Sequence, residues 1–141
     1  MEFQIEYDGP LHAANCTDKK KLRADRHRIR QYLHPQLLGL WEDRIAPHLV
    51  PGKEQVNVYL DSRCTRVGRF RFFPIITEPE HLVCDLDIAF RRKEKPGSLI
   101  KSDGGGDLGN RIKTLFDALQ VPKPDQLVGH NPETDPLFCL S

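Results

Sequence analysis

Residues 103–120 read DGGGDLGNRIKTLFDALQ, and the fold is read outward from this stretch. Leu108, Ile112, Leu115, Phe116 and Leu119 fall at i, i+4, i+7, i+8 and i+11, the spacing of one face of an α-helix. The spacing predicts a helix over 108–120 that buries this stripe against a small sheet. Asp107 stands directly before the stripe, in the position of a helix N-cap. At roughly 100° per residue, Asp107, Asn110, Lys113 and Asp117 form a polar stripe on the opposite side. The glycines at 104–106 let the chain turn sharply or let another backbone approach closely. Two uses of the polar stripe stand open. A carboxylate, an amide and an ammonium at a helix start can gather a hard cation and a phosphate, since magnesium takes oxygen ligands and completes its shell with water or phosphate. The lysine would then offset charge developing on a phosphodiester. Equally, Asp107 caps the helix, and Lys113 pairs with Asp117 at i+4 on a solvated face.

Upstream, EFQIEY (2–7) alternates with Phe3, Ile5 and Tyr7 on one side, the pattern of a half-buried strand ended by Asp8-Gly9-Pro10. After a polar loop through Asn15 and Asp18, a helical pattern begins near Lys19, with Leu22, Ile29 and Leu33 on one face. Pro35 interrupts it or opens a second helix at its first position. Leu37, Leu40, Trp41 and Ile45 carry that second helix to Pro47. Beyond the Pro51-Gly52 turn, VNVYL (56–60), VGRFRFFPII (67–76) and LVCDLDIAF (82–90) read as three strands, with Pro74 marking an edge or bend. Residues 91–107 read as a loop rich in charge and glycine. The tail 122–141 carries four prolines and no period, and is expected to be irregular. The expectation is one α+β domain over 1–141, a small mixed sheet flanked by helices.

The chain has 141 residues, 38% hydrophobic and 29% charged, with a formal charge of +1. That suits a globular protein and excludes a polycation, so any nucleic-acid role must rest on local clusters of charge. Two exist. Lys19, Lys20, Lys21, Arg23, Arg26, Arg28 and Arg30 crowd one segment; Arg91, Arg92, Lys93 and Lys95 crowd another. The first either grips phosphates or forms a solvated helical face. Cys16, Cys64, Cys84 and Cys139 form no CxxC pair, which argues against a zinc knuckle. They read as buried or incidental thiols. The histidines show no metal-binding spacing, although His27 and His34, at i+7, could share a face. Asp85 and Asp87 point to one side of their strand, more simply a solvated face than a metal site. Phe70 and Phe72, interleaved with Arg69 and Arg71, suit a core better than a base-stacking platform. No leader or membrane-spanning stretch is evident, so a cytoplasmic protein is expected.

The run GGDLGNRIKTLFDAL resembles the catalytic helix of the RusA-like crossover-junction endodeoxyribonuclease family. That family carries an Asp-x-Asp-Asn run, then a lysine, then Asp-Ala-Leu. Asp107 matches the first aspartate, Asn110 the asparagine, Lys113 the lysine, and Asp117-Ala118-Leu119 follows in step. EYDGPL, HPQLLGLW, LVCDLDIAF and Pro96-Gly97-Ser98-Leu99-Ile100 extend the likeness over most of the chain. The resemblance implies a RusA-like resolvase fold and a homodimer acting on branched or four-way-junction DNA with magnesium. It makes Asp107 a metal ligand, Lys113 the group that stabilises the transition state, and Asn110 an orienting residue. Lys20, Lys21, Arg23, Arg26, Arg30 and Arg111 are the candidate DNA contacts. Two departures are expected to matter. Gly109 stands where the family has its second aspartate. The chain also ends at Phe138-Cys139-Leu140-Ser141, about where the family's later acidic pair begins. Magnesium is therefore expected to bind weakly and cleavage to be slow. The alternative is a non-catalytic nucleic-acid-binding or protein-interaction module of the same fold.

Overall fold

A computed structural model describes residues 1–91 and 108–141. Asp107, Arg92, Lys93, Lys95 and the 96–100 approach lie outside the described residues. The described architecture is α+β: a long helix with shorter helices and two small sheets around it.

Strand β1 (Glu2–Asp8) alternates exposed and buried along its length, with Phe3, Ile5 and Tyr7 inward. It pairs in parallel with β4 (Asp85–Arg91), from Glu2 opposite Asp85 to Asp8 opposite Arg91. Asp85 and Asp87 fall on the exposed side of β4, as the alternation requires. Helix α1 (Lys19–Leu40) starts at Asp18, whose side chain accepts from the Lys21 N–H at 3.0 Å, a regular N-cap.

Pro35 neither interrupts nor restarts the helix; α1 runs through it. Leu33 and Leu37 on either side are both 1% exposed, and this burial offsets the roughly 3 kcal/mol that an internal proline costs. The next residue, Gln36, uses its side-chain amide as a strand edge. Its Oε1 accepts from the Glu6 N–H at 2.8 Å and its Nε2 donates to the Glu6 carbonyl at 2.7 Å, so both backbone polar groups of Glu6 are paired on that edge of β1. A π-helical turn, Trp41–Ile45, continues directly into α2 (Ala46–Leu49).

The stretch 56–60 corrects the sequence reading. It is not a strand but helix α3 (Val56–Arg63). Val56, Tyr59 and Leu60 pack on the core while Val58 is 70% exposed. Their i, i+3, i+4 spacing is helical, and β-branched propensity yielded to tertiary packing. The stretch 67–76 is also corrected. It is part of a hairpin, β2 (Thr65–Val67) and β3 (Phe70–Pro74), turning at Gly68-Arg69. Gly68 has φ of 59°, a conformation that two-residue hairpin turns demand and glycine supplies without strain. Phe70 and Phe72 are core residues, 5% and 0% exposed.

The tail is largely irregular but ends in a third correction. Leu137–Cys139 form β5, buried throughout and parallel to β3. Helix α4 (Leu108–Leu119) confirms the helix and shifts its face. Leu115 and Leu119 are buried, together with Thr114 and Ala118, whereas Leu108 and Phe116 are 42% and 48% exposed. The buried face is rotated by roughly 70° from the centre of the apolar stripe. Small Ala118 and Thr114 let α1 approach, and the Thr114 hydroxyl is satisfied by the His12 carbonyl at 2.7 Å. Among the described residues, no helix is long and apolar enough to cross a membrane.

Candidate functional site

Residues 9–18 form the loop that brings the candidate site together. At its start, the Gly9 N–H donates to the Arg91 carbonyl at the end of β4, 3.3 Å away. Further on, the Ala14 N–H donates to the Asn110 carbonyl in the first turn of α4 at 2.9 Å. The loop ends at Asp18, where α1 begins. The carboxyl ends of both parallel strands and the starts of α1 and α4 thus meet at one end of the molecule. In open α/β sheets, ligands bind at that edge.

Asp25, 4% exposed, anchors the loop from beneath. Its Oδ2 accepts from the His12 N–H at 3.0 Å and lies 3.0 Å from the ring Nδ1 of His12. Its other oxygen pairs with Arg28, which also donates to the Pro10 carbonyl. The sequence reading missed this trio. The available signal was Asp25 itself, the lone acid in a basic run, because a carboxylate among cations finds a partner when the helix docks.

The basic run splits into two groups. Lys20 and Lys21 are exposed, as is Lys19. Arg23, Arg26 and Arg30 turn instead toward α4 and the tail. Arg23 donates to the Asp125 carbonyl at 3.2 Å. Arg26 pairs with Asp117 at 2.6 Å, both side chains largely buried. Arg30, 1% exposed, donates to the Asp117 carbonyl and to Gln126 Oε1, each at 3.2 Å. Burial pushes its guanidinium down to about 10, still protonated at neutral pH. These arginines hold the helices together, and Arg30 reaches no solvent-borne phosphate in this arrangement.

On α4, Lys113 sits 3.2 Å from Asp117 in the i+4 pair, with its side chain 62% exposed. Asn110 is half-buried, and Arg111 donates to the Leu11 carbonyl at 3.4 Å. Asn110 and Lys113 therefore lie one turn apart on the helix whose start faces the 9–18 loop. Gly109 contributes no side-chain ligand atom beside them. Among the described residues, no group of three or more His, Cys, Asp or Glu side chains is placed to hold a metal ion.

His27 and His34 do share one face of α1. His27 stacks on His130 with ring centroids 4.3 Å apart and meets Phe70 edge-on. Burial, then His130 and Arg30, push it down to about 4. His34 Nδ1 accepts from the Phe138 N–H at 3.0 Å, and burial lowers its pKa as well. All four cysteines are free thiols. Burial pushes Cys139 up to about 12, leaving it unreactive. No protein-family model, curated protein or solved structure matches the chain.

Proposed function

We propose that this chain is a RusA-like protein that binds branched DNA as a homodimer, with little magnesium-dependent cleavage. One observation carries the reading: the 9–18 loop joins the end of β4 to the starts of α1 and α4. That places exposed Lys19, Lys20 and Lys21 near the helix bearing Asn110 and Lys113. Lysines on such an edge suit phosphate contacts, which are electrostatic and independent of sequence. The motif on α4 supplies the branched-DNA assignment through its resemblance. Gly109 supplies the attenuation, because a magnesium site with one fewer carboxylate depends on water and phosphate oxygens to fill its shell.

The test uses a synthetic four-way junction and a linear duplex of matched sequence. The expected result is tighter binding to the junction, weakened by Lys20→Ala with Lys21→Ala, and nearly no cutting in magnesium. Gly109→Asp should raise magnesium affinity and restore cleavage only in part. Brisk cutting abolished by Asp107→Asn would overturn the attenuation and keep the site. Equal affinity for junction and duplex would remove the branched-DNA assignment.

A further inference from the structure

Strand β1 has an outer edge, away from β4, that is closed at its two ends and open between them. The Met1 carbonyl accepts from the Asp85 N–H at 2.7 Å, and the Gly9 N–H donates to the Arg91 carbonyl. In a parallel pair this register turns the backbone groups of odd-numbered β1 residues toward β4 and those of even-numbered residues away. Of the latter, Glu6 has both groups taken by the Gln36 side chain, and the Glu2 carbonyl accepts from Arg44 Nη1 at 2.8 Å. Gln4, exposed between them, has no partner for its N–H or its carbonyl on that edge among the described residues.

Beside Gln4 lies an open groove of about 360 Å³, walled by Pro35, Gly39 and Leu40 of α1 and by Asp43 of the π-helical turn. A glycine inside a helix is unfavourable, and packing does not require this one: a Cβ on Gly39 would meet nothing within 4 Å. Its effect is to keep the groove open. The solvent face of the adjoining sheet is acidic. Glu2, Glu6 and Asp8 from β1 and Asp85 and Asp87 from β4 are all exposed on it, with Arg91 3.5 Å from Glu6 as the counter-charge.

We propose that this groove takes up a short extended peptide segment of another protein, with lysine or arginine two residues to either side of the one that pairs. The central residue adds to the edge at Gln4. It donates to the carbonyl and accepts from the N–H, as the Gln36 carboxamide does at Glu6. Adding a strand to a free sheet edge is a recurring mode of peptide recognition. Gln36 and Arg44 hold the positions on either side, so one residue pairs and the flanks diverge. Alternation sends the neighbours of the paired residue toward the groove floor at Gly39 and Pro35, and the two basic side chains out beside Glu2 and Glu6. A second copy of this chain fits badly. Antiparallel β1 strands centred on Gln4 would set Glu2 opposite Glu6 twice, and like charges directly opposite destabilise. The same carboxylates repel phosphates, so the groove stands apart from the DNA reading above.

The Gln4 backbone amide gives its own cross-peak in a proton–nitrogen correlation spectrum of the full chain. The blocked pentapeptide acetyl-Lys-Val-Thr-Val-Lys-amide, titrated in, should shift that peak saturably and slow its hydrogen exchange. N-methylation of the central threonine removes the donor to the Gln4 carbonyl and should weaken binding about tenfold. The peptide with glutamate in place of both lysines should not bind. Gly39→Met fills the groove with a better helix former, so it should abolish the shift while the urea midpoint holds or rises. A Gln4 peak unmoved by the pentapeptide overturns the proposal. So does equal binding of the methylated peptide, which would mean contact without edge pairing, or equal binding to Gly39→Met, which would place the peptide elsewhere. A Gln4 shift that follows protein concentration without peptide would give the edge to a second copy, and one produced by a four-way junction would give it to nucleic acid; either overturns it as well.

Discussion

The first half of α1, Lys19–Arg30, and its second half, Gln31–Leu40, meet the rest of the molecule through different chemistry. Along the first half, buried Asp25, His27 and Arg30 face His12, His130, Asp117 and Gln126. Along the second, Leu33, Leu37 and Leu40 join Trp41, Phe73 and Phe138 in one apolar core. Apolar burial stabilises in proportion to area. A buried ion pair loses most of its attraction to desolvation, and its clearer use is to favour one docking over others. The second half should therefore supply most of the stability, and the first half the register in which α4 and the tail dock.

The largest test of that contrast lies on α4. Leu115, 3% exposed, belongs to the same core as Leu33 and Leu37. Leu115→Ala should cost about 2–5 kcal/mol in urea unfolding. Phe116→Ala, one position on and 48% exposed, should stay within about 0.5 kcal/mol. Equal losses at both would mean that the shifted face of α4 is not the one that packs.

Acid should strike the polar half next. His27 is lowered from 6.5 to about 4, so the folded state holds it neutral while the unfolded chain protonates first. The unfolded state then binds more protons between those two values, and stability rises with pH across the interval. Falling from pH 6.5 to 4 should cost on the order of 3 kcal/mol at this one residue. His27→Phe should flatten that part of the stability profile. A variant with the wild-type slope would assign the acid sensitivity elsewhere, and His34, lowered in the same direction, is the next residue to substitute.

Asp117 and Arg30 sharpen the contrast at smaller magnitude. Asp117→Ala leaves the Arg26 guanidinium buried without its 2.6 Å partner, and should cost about 1–3 kcal/mol. Arg30→Met should be near neutral or stabilising. Its Nε and one terminal nitrogen have no hydrogen-bond partner, and an apolar side chain of similar volume avoids that burden. A loss at Arg30→Met as large as that at Leu115→Ala would show that the polar half carries energy as well as register.

Legibility in the sequence followed the same division. Period alone located β1, the start of α1, β4 and the span of α4, because each carries its repeat over at least six residues. It failed where tertiary contact decides. VNVYL reads equally as a short strand or as a helix whose Val56, Tyr59 and Leu60 face inward. Pro35 signals a break that the burial of Leu33 and Leu37 overrules. Leu137–Cys139 are too few to show a period, and only pairing with β3 makes them a strand. Within the candidate site, the i+4 partnership of Lys113 and Asp117 was readable from spacing. The inward turn of Arg23, Arg26 and Arg30 was not, since their partners Asp125, Asp117 and Gln126 lie 102, 91 and 96 residues along the chain. Asp107 and residues 92–106 fall outside the described residues.

The smallest effect on stability should come from the three lysines that open α1, and their variant separates the two fates of the basic run. Lys19, Lys20 and Lys21 are exposed, so replacing all three with alanine should change stability by no more than about 0.5 kcal/mol. Alanine also has the higher helix propensity, which works against any loss. Junction binding should respond quite differently. Each lysine withdrawn from a phosphate makes the slope of log affinity against log salt shallower by about 0.9. The triple variant should therefore bind more weakly, with a shallower slope and the fold intact. Arg26→Ala should do the reverse, lowering stability because Asp117 Oδ2 loses its 2.6 Å partner while Lys113 stays on the other oxygen, and leaving the salt slope in place. A triple variant with an unchanged slope would return the lysines to plain solvation. An Arg26→Ala slope reduced as far as theirs would mean that this arginine leaves Asp117 when DNA arrives, and that the helix seam is part of the binding surface.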